Sequence, residues 1–131
     1  MATGIRLAIG AALAVTGLLL VLFPTLAYDP GPAASSYAAI ERRIWWGGLY
    51  GLGILLITQR QLGPWRYTAV ASVFWVVGGF LVARAVGLAL DGMDSTLQWI
   101  WVAVEVVIMA VAGWLMRRWR PGAVKQEAPV E

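Results

Sequence analysis

The chain has 131 residues, 60% hydrophobic and 13% charged, with a mean hydropathy of +0.74; one domain fits that length, and the apolar excess makes a bilayer the main solvent. It contains no cysteine and no histidine, which excludes disulfides, thiol redox chemistry, Cys/His zinc sites and haem held by either residue, so no cofactor is expected. The net charge of +3 is carried by basic residues at the edges of apolar runs, a pattern of membrane topology and not of nucleic-acid binding.

Taken in chain order, the first apolar run predicts a helix over residues 5–23, closed by Pro24. The rival reading is a secretory signal cleaved near Thr25-Leu26-Ala27, but the run is long for a signal core. Asp29-Pro30-Gly31-Pro32 forms the centre of the next loop. A second helix is predicted over 36–58 and a third over 65–90, joined by the polar stretch Gln59–Gly63. Pro64 stands where a first helical turn tolerates it. Asp91-Gly92 ends the third helix. Ser95-Thr96-Leu97-Gln98 reads as a capping box opening the fourth, over 95–116. Arg117-Arg118-Trp119-Arg120-Pro121-Gly122 stops it. The fold class predicted is thus all-α, an integral membrane four-helix bundle over residues 1–122, followed by a short disordered tail over 123–131.

Orientation follows from charge. Arg60 and Arg66 flank the second connection, and Arg117, Arg118, Arg120 and Lys125 lie in the tail, whereas the third loop holds only Asp91 and Asp94. Both termini are therefore expected in the cytoplasm, with the first and third loops outside. Trp65, Trp114 and Trp119 at the inner edge, and Trp99 and Trp101 at the outer, suit aromatic belts. Trp75, deep in the third helix, is expected to pack or face lipid.

Small residues recur at helical spacing. Gly47 and Gly51 form a GxxxG, with Gly48 beside them, and Gly79, Ala83 and Gly87 form a row in the third helix. Gly10 and Ala14 do the same in the first, and Met109 and Gly113 more weakly in the fourth. Such rows let backbones approach closely where lipid gives no hydrophobic drive between helices. They serve packing within one bundle, or a homodimer seam.

The charges inside the apolar runs carry more information. Arg42, Arg43, Arg84 and Glu105 all fall within predicted helices, where an ion near the bilayer centre costs about 2.5–3.5 kcal/mol. From the rise per residue, Glu105 lies about 15 Å below the outer end of its helix, Arg84 about 9 Å and Arg43 about 10 Å. Arginines snorkel toward water, but a midplane Glu105 has to be paired, protonated or in a wet cavity. Arg43 shares an i, i+4 row with Gly47 and Gly51; Arg84 shares a face with Gly87 and Asp91. Both point into the bundle, while Arg42 lies about 100° away and is expected to turn outward.

The run Arg43-Ile44-Trp45-Trp46-Gly47-Gly48, then Arg84-Ala85-Val86-Gly87 leading to Asp91-Gly92, then Glu105, resembles small four-span bacterial membrane proteins of a family of unknown function, distantly similar in layout to DoxX-like proteins. Trp46 stands where that pattern has tyrosine. The resemblance implies a bacterial cytoplasmic-membrane location and, through DoxX-like proteins, an association with quinone-linked complexes; it assigns no activity.

Two function classes follow. The first is a structural or accessory subunit of a membrane complex, in which Arg84 and Glu105 tie the third and fourth helices together. The second is a binding or transport module for an amphiphilic or anionic molecule, such as a lipid or quinone-like compound. Its expected site is Arg43, Arg84, Asp91 and Glu105, with Glu105 as a proton-relay carboxylate and Arg43 needing an acceptor from outside the chain. Small multidrug transporters share the size, yet their first helix carries a Glu and this one has none. No nucleophile–base set, metal-ligand group or phosphate loop supports an enzyme. The partners expected are the lipid bilayer, an anionic lipid, and a membrane-protein partner or second copy.

Overall fold

The computed structural model describes residues 2–59 and 63–120. Over these the chain forms four α-helices, α1 (Ala2–Leu22), α2 (Ser36–Thr58), α3 (Trp65–Asp91) and α4 (Thr96–Arg118), with a 3₁₀ turn at Pro24–Leu26 and no strand among the described residues. Arg60 and everything from Pro121 onward, Lys125 and the 123–131 tail included, lie outside them.

The helix ends have local causes. Pro24 removes a backbone donor and converts the end of α1 into the 3₁₀ turn. Ser35 caps α2, its hydroxyl accepting from the Ala38 N–H at 3.2 Å. Pro64 occupies the cap position of α3, and Gly92 follows its last turn with a φ of +113°, a conformation that a side chain resists. The capping box expected at α4 does not form. Ser95 is the cap residue but its side chain makes no capping bond, and Gln98 turns away into the bundle, for a reason described below.

Helix α2 packs against both α1 and α3, and α4 leans chiefly on α3. Glycines set the closeness of the two inner interfaces. A Cβ on Gly47 would strike the Gly79 carbonyl, one on Gly51 the Trp75 carbonyl, and one on Gly79 the backbone of Gly47 and Gly51. On the opposite side of α2, Gly53 meets the backbone of Gly10 and Ala14, while Gly17 meets that of Tyr50. Helix α2 is thus sandwiched between two backbones, which only small residues allow. Gly48 receives the Phe80 ring and Gly87 the Ile40 side chain; Ala83 is fully buried. The α3–α4 contact is made differently, by Met109 over Gly78 and Phe74 over Gly113.

Three helices are long and apolar enough to cross a membrane: α1 from Thr3, α3 and α4. Helix α2 is 23 residues long, but any stretch of it long enough to span contains Glu41, Arg42 and Arg43. Helix α4 buries only Gln98, Glu105 and Ala112, one residue every seven, so a single narrow seam faces α3. Its other faces expose Trp99, Ile100, Val104, Val107 and Val111.

Candidate functional site

The buried charges form two clusters toward one end of the bundle, the end where α1 and α3 finish and α2 and α4 begin. Apolar Ile40, Ile44 and Leu88, with Phe80 and Val102, pack as a core cluster on the same helices.

The first cluster is built on Arg43, which is 8% exposed. Its Nε and Nη2 donate to the two carboxylate oxygens of Asp91 at 2.6 and 2.9 Å, a bidentate pair. Its Nη1 donates to the carbonyls of Val21 and Leu22 at 2.6 and 2.9 Å. Those carbonyls belong to the last turn of α1, where no intrahelical donor is available and the helix dipole is negative. One side chain of α2 therefore closes the end of α1 and holds the end of α3. Arg43 needs no acceptor from outside the chain, contrary to the expectation drawn from its sequence neighbours.

The second cluster is built on Arg84, which is 3% exposed. Its Nη2 donates to Glu105 Oε1 at 2.8 Å, and its Nε lies 3.2 and 3.3 Å from the two Glu105 oxygens. Its Nη1 donates to Gln98 Oε1 and, at 3.4 Å, to Glu41 Oε1. The Gln98 amide in turn donates to Glu41 Oε1 at 3.3 Å and to the Tyr37 carbonyl at 3.5 Å. The chain thus runs from α2 through α3 to α4, and it grows more enclosed with depth. The Glu41 side chain is 37% exposed, that of Glu105 only 8%.

Of the four residues expected to form a ligand site, the structure brings Arg84 to Glu105 and Arg43 to Asp91, as two separate pairs. Asp91 on Arg43 and Glu41 on Arg84 neutralise the remaining charge. Gln98 and Glu41 are residues of the cluster that the expected site did not include. The same four-residue pattern that suggested a capping box placed Gln98 one turn into α4, seven residues before Glu105. That heptad spacing was the available signal for a shared face. A fully buried glutamine has to find partners, and Arg84 and Glu41 provide them.

At the opposite end other polar contacts join the helices. Arg6 of α1 donates to the Gln59 carbonyl, and the Tyr67 hydroxyl donates to the Gln59 side chain at 2.9 Å, joining α1, α2 and α3. Arg66 and Arg118 lie over the rings of Trp65 and Trp114 at 5.8 and 5.4 Å, the arrangement of cationic and aromatic side chains common at a bilayer edge. Trp75 packs edge-on to Phe74, ring centres 5.3 Å apart. Its buried indole N–H has no acceptor among the described residues, and it borders a cavity of about 190 Å³ with Tyr50, Gly78 and Met109.

Arg42 stands apart from both clusters. Its Nη1 donates to the Gly31 carbonyl at 2.7 Å, and no carboxylate among the described residues pairs with it.

Comparison with known proteins gives one family. The model of a domain of unknown function, DUF4345, matches residues 1–116. No curated protein and no solved structure matches the chain. The chain belongs to the DUF4345 family, which meets the expectation of a family without an assigned activity; the more distant likeness to DoxX-like proteins gains no support from that match.

Proposed function

We propose that this DUF4345 chain is a four-span scaffold of the cytoplasmic membrane, with both termini inside, acting as a structural or accessory subunit of a membrane complex. One observation carries the structural reading: both buried arginines are paired from within the chain. Arg43 is held by Asp91 and two α1 carbonyls, Arg84 by Glu105, Gln98 and Glu41. Ions in hydrocarbon are tolerated when they pair. Here each pair spans two helices, so the same contacts that offset desolvation also fix which helices are neighbours. An anion recruited by Arg43 would have to displace Asp91, and a proton carried by Glu105 would have to break its contacts with Arg84. Both costs favour a lock over a passage.

The same pairing supports counting α2 as a span despite its composition. Arg43 is neutralised in place, Glu41 sits at the partly exposed end of the network, and Arg42 reaches the loop at Gly31. Below them, from Ile44 to Ile57, α2 contains no charge. Arg66, Arg117 and Arg118 at the other end of the bundle give that end the cytoplasmic side.

The structural reading is tested in sealed proteoliposomes. Under imposed proton or sodium gradients, dye-reported flux should equal that of empty vesicles. Flux above that level, abolished by Glu105→Gln, would make the chain a carrier and remove the scaffold reading.

A further inference from the structure

Where the loop after α1 folds back over the start of α2, it leaves a cavity of about 310 Å³. Pro24, Thr25 and Tyr28 of the loop form one wall, and Arg42, Trp45 and Trp46 of α2 the other. The walls are almost wholly apolar, with Arg42 among the residues that line them. Three features of this place belong neither to the helix lock nor to the scaffold reading.

The first is charge. Arg43 and Arg84 are matched by Asp91, Glu105 and Glu41, whereas Arg42 has a single acceptor among the described residues, the Gly31 carbonyl. A guanidinium has five N–H donors in a planar fork, so most of this one is uncommitted. The nearest acid in the loop sequence, Asp29, accepts from the Gly31 N–H at 2.9 Å and so is engaged in its own turn. The second is level. Arg42 lies about 9 Å along α2 from its start, close to where head groups meet acyl chains. The third is the wall chemistry. Trp45 and Tyr28 are 78% and 73% exposed, large amphipathic rings of the type that sit at a bilayer interface.

We propose that an anionic phospholipid binds at this cavity, with its phosphate on Arg42. Arg42 engages the phosphate oxygens through its free N–H pair, and the first methylenes of the lipid lie between Trp45, Trp46 and the prolines of the loop. Arginine suits this task because its fork matches two phosphate oxygens at once. The volume holds a head group and the beginning of a tail, and the remainder of the lipid stays in the bilayer. The expected ligand thereby moves from Arg43, which the chain neutralises, to its neighbour, which it does not. The site does not depend on the scaffold reading, since a carrier would expose the same cavity.

The test is native mass spectrometry of the intact chain released from nanodiscs of phosphatidylcholine with a minority of phosphatidylglycerol. Wild type should retain phosphatidylglycerol selectively. Arg42→Gln should lower that retention about tenfold or more, the effect of losing a charge-assisted contact. Arg42→Lys, which keeps the charge and loses the fork, should fall between them. Arg118→Gln, a surface arginine at the far end of α4, should behave as wild type. If Arg42→Gln fails to fold, Trp45→Ala, which removes an exposed wall, serves instead and should weaken retention about threefold. Added inorganic phosphate at millimolar concentration should leave the lipid adduct in place. Equal retention by wild type and Arg42→Gln, or by wild type and Trp45→Ala where the latter is used, overturns the site. Displacement by inorganic phosphate overturns the lipid assignment in favour of a soluble phosphate.

Discussion

Replacing Arg84 with methionine removes the hub of the deeper cluster while keeping a flexible, apolar side chain of similar reach. It strips Glu105 of its protein donor and leaves it in a site where its side chain is 8% exposed. It also takes from the fully buried Gln98 the donor to its carbonyl oxygen. Breaking a buried pair from one side in this way costs about 3–5 kcal/mol. The reverse change, Glu105→Gln, is milder. An amide oxygen still accepts from the guanidinium, and Arg84 keeps Gln98 and Glu41, so the loss is that of a charge-assisted bond, about 1.5–3 kcal/mol. In the double variant no unpaired ion remains at the Glu105 position, and the summed losses should exceed the measured one by about 2 kcal/mol. Titration with SDS from a mild detergent, followed through the eight tryptophans, gives the three unfolding free energies. Additive losses, or a Glu105→Gln more damaging than Arg84→Met, would refute the hub.

The same titration reads the glycine contacts. Gly79→Ala places a Cβ against the Gly47 carbonyl and the Gly51 nitrogen, backbone atoms that cannot rotate aside, and should cost about 1–3 kcal/mol; Gly4→Ala meets nothing within 4 Å and should stabilise α1 by about 0.5–1 kcal/mol. Comparable effects at the two positions would mean that the α2–α3 approach is looser than described. Topology is open to single-cysteine labelling, because the chain has no native thiol. A membrane-impermeant maleimide added to spheroplasts should modify Asp29→Cys and Asp94→Cys and spare Gly63→Cys, and labelling of Gly63→Cys before lysis would reverse the orientation or remove a span.

The helices were legible because their interruptions are chemically blunt. Pro24, Pro64 and Gly92 each act through the backbone alone, so no tertiary partner is needed to read them. The small-residue rows were legible as faces, since spacing gives the face, though it does not say which helix lies opposite. Gly53 and Gly17 escaped notice because they fall outside the four-residue rows, yet they form the α1–α2 contact together with Gly10 and Ala14. The Arg84–Glu105 pair could be inferred because both residues lie at related depth on consecutive helices. Arg43 was misjudged for two reasons. The carbonyls that end α1 are acceptors that no side-chain pattern displays, and spacing does not say that Asp91 lies opposite Arg43 on the neighbouring helix. Gln98 shows the converse error. Local sequence offered it a capping role worth about 1 kcal/mol, and a buried arginine one helix away made the stronger claim.

The lock itself is most directly measured by solid-state NMR in bilayers, as the dipolar coupling between guanidinium ¹⁵N of arginine and side-chain carboxyl ¹³C of glutamate. A signal consistent with the 2.8 Å contact between Arg84 Nη2 and Glu105 Oε1 should be present in wild type and disappear in Glu105→Gln. A wild-type spectrum without that coupling, or one left unchanged by Glu105→Gln, would show that the two side chains do not meet, and the buried charges would then have to be doing something other than holding the helices together.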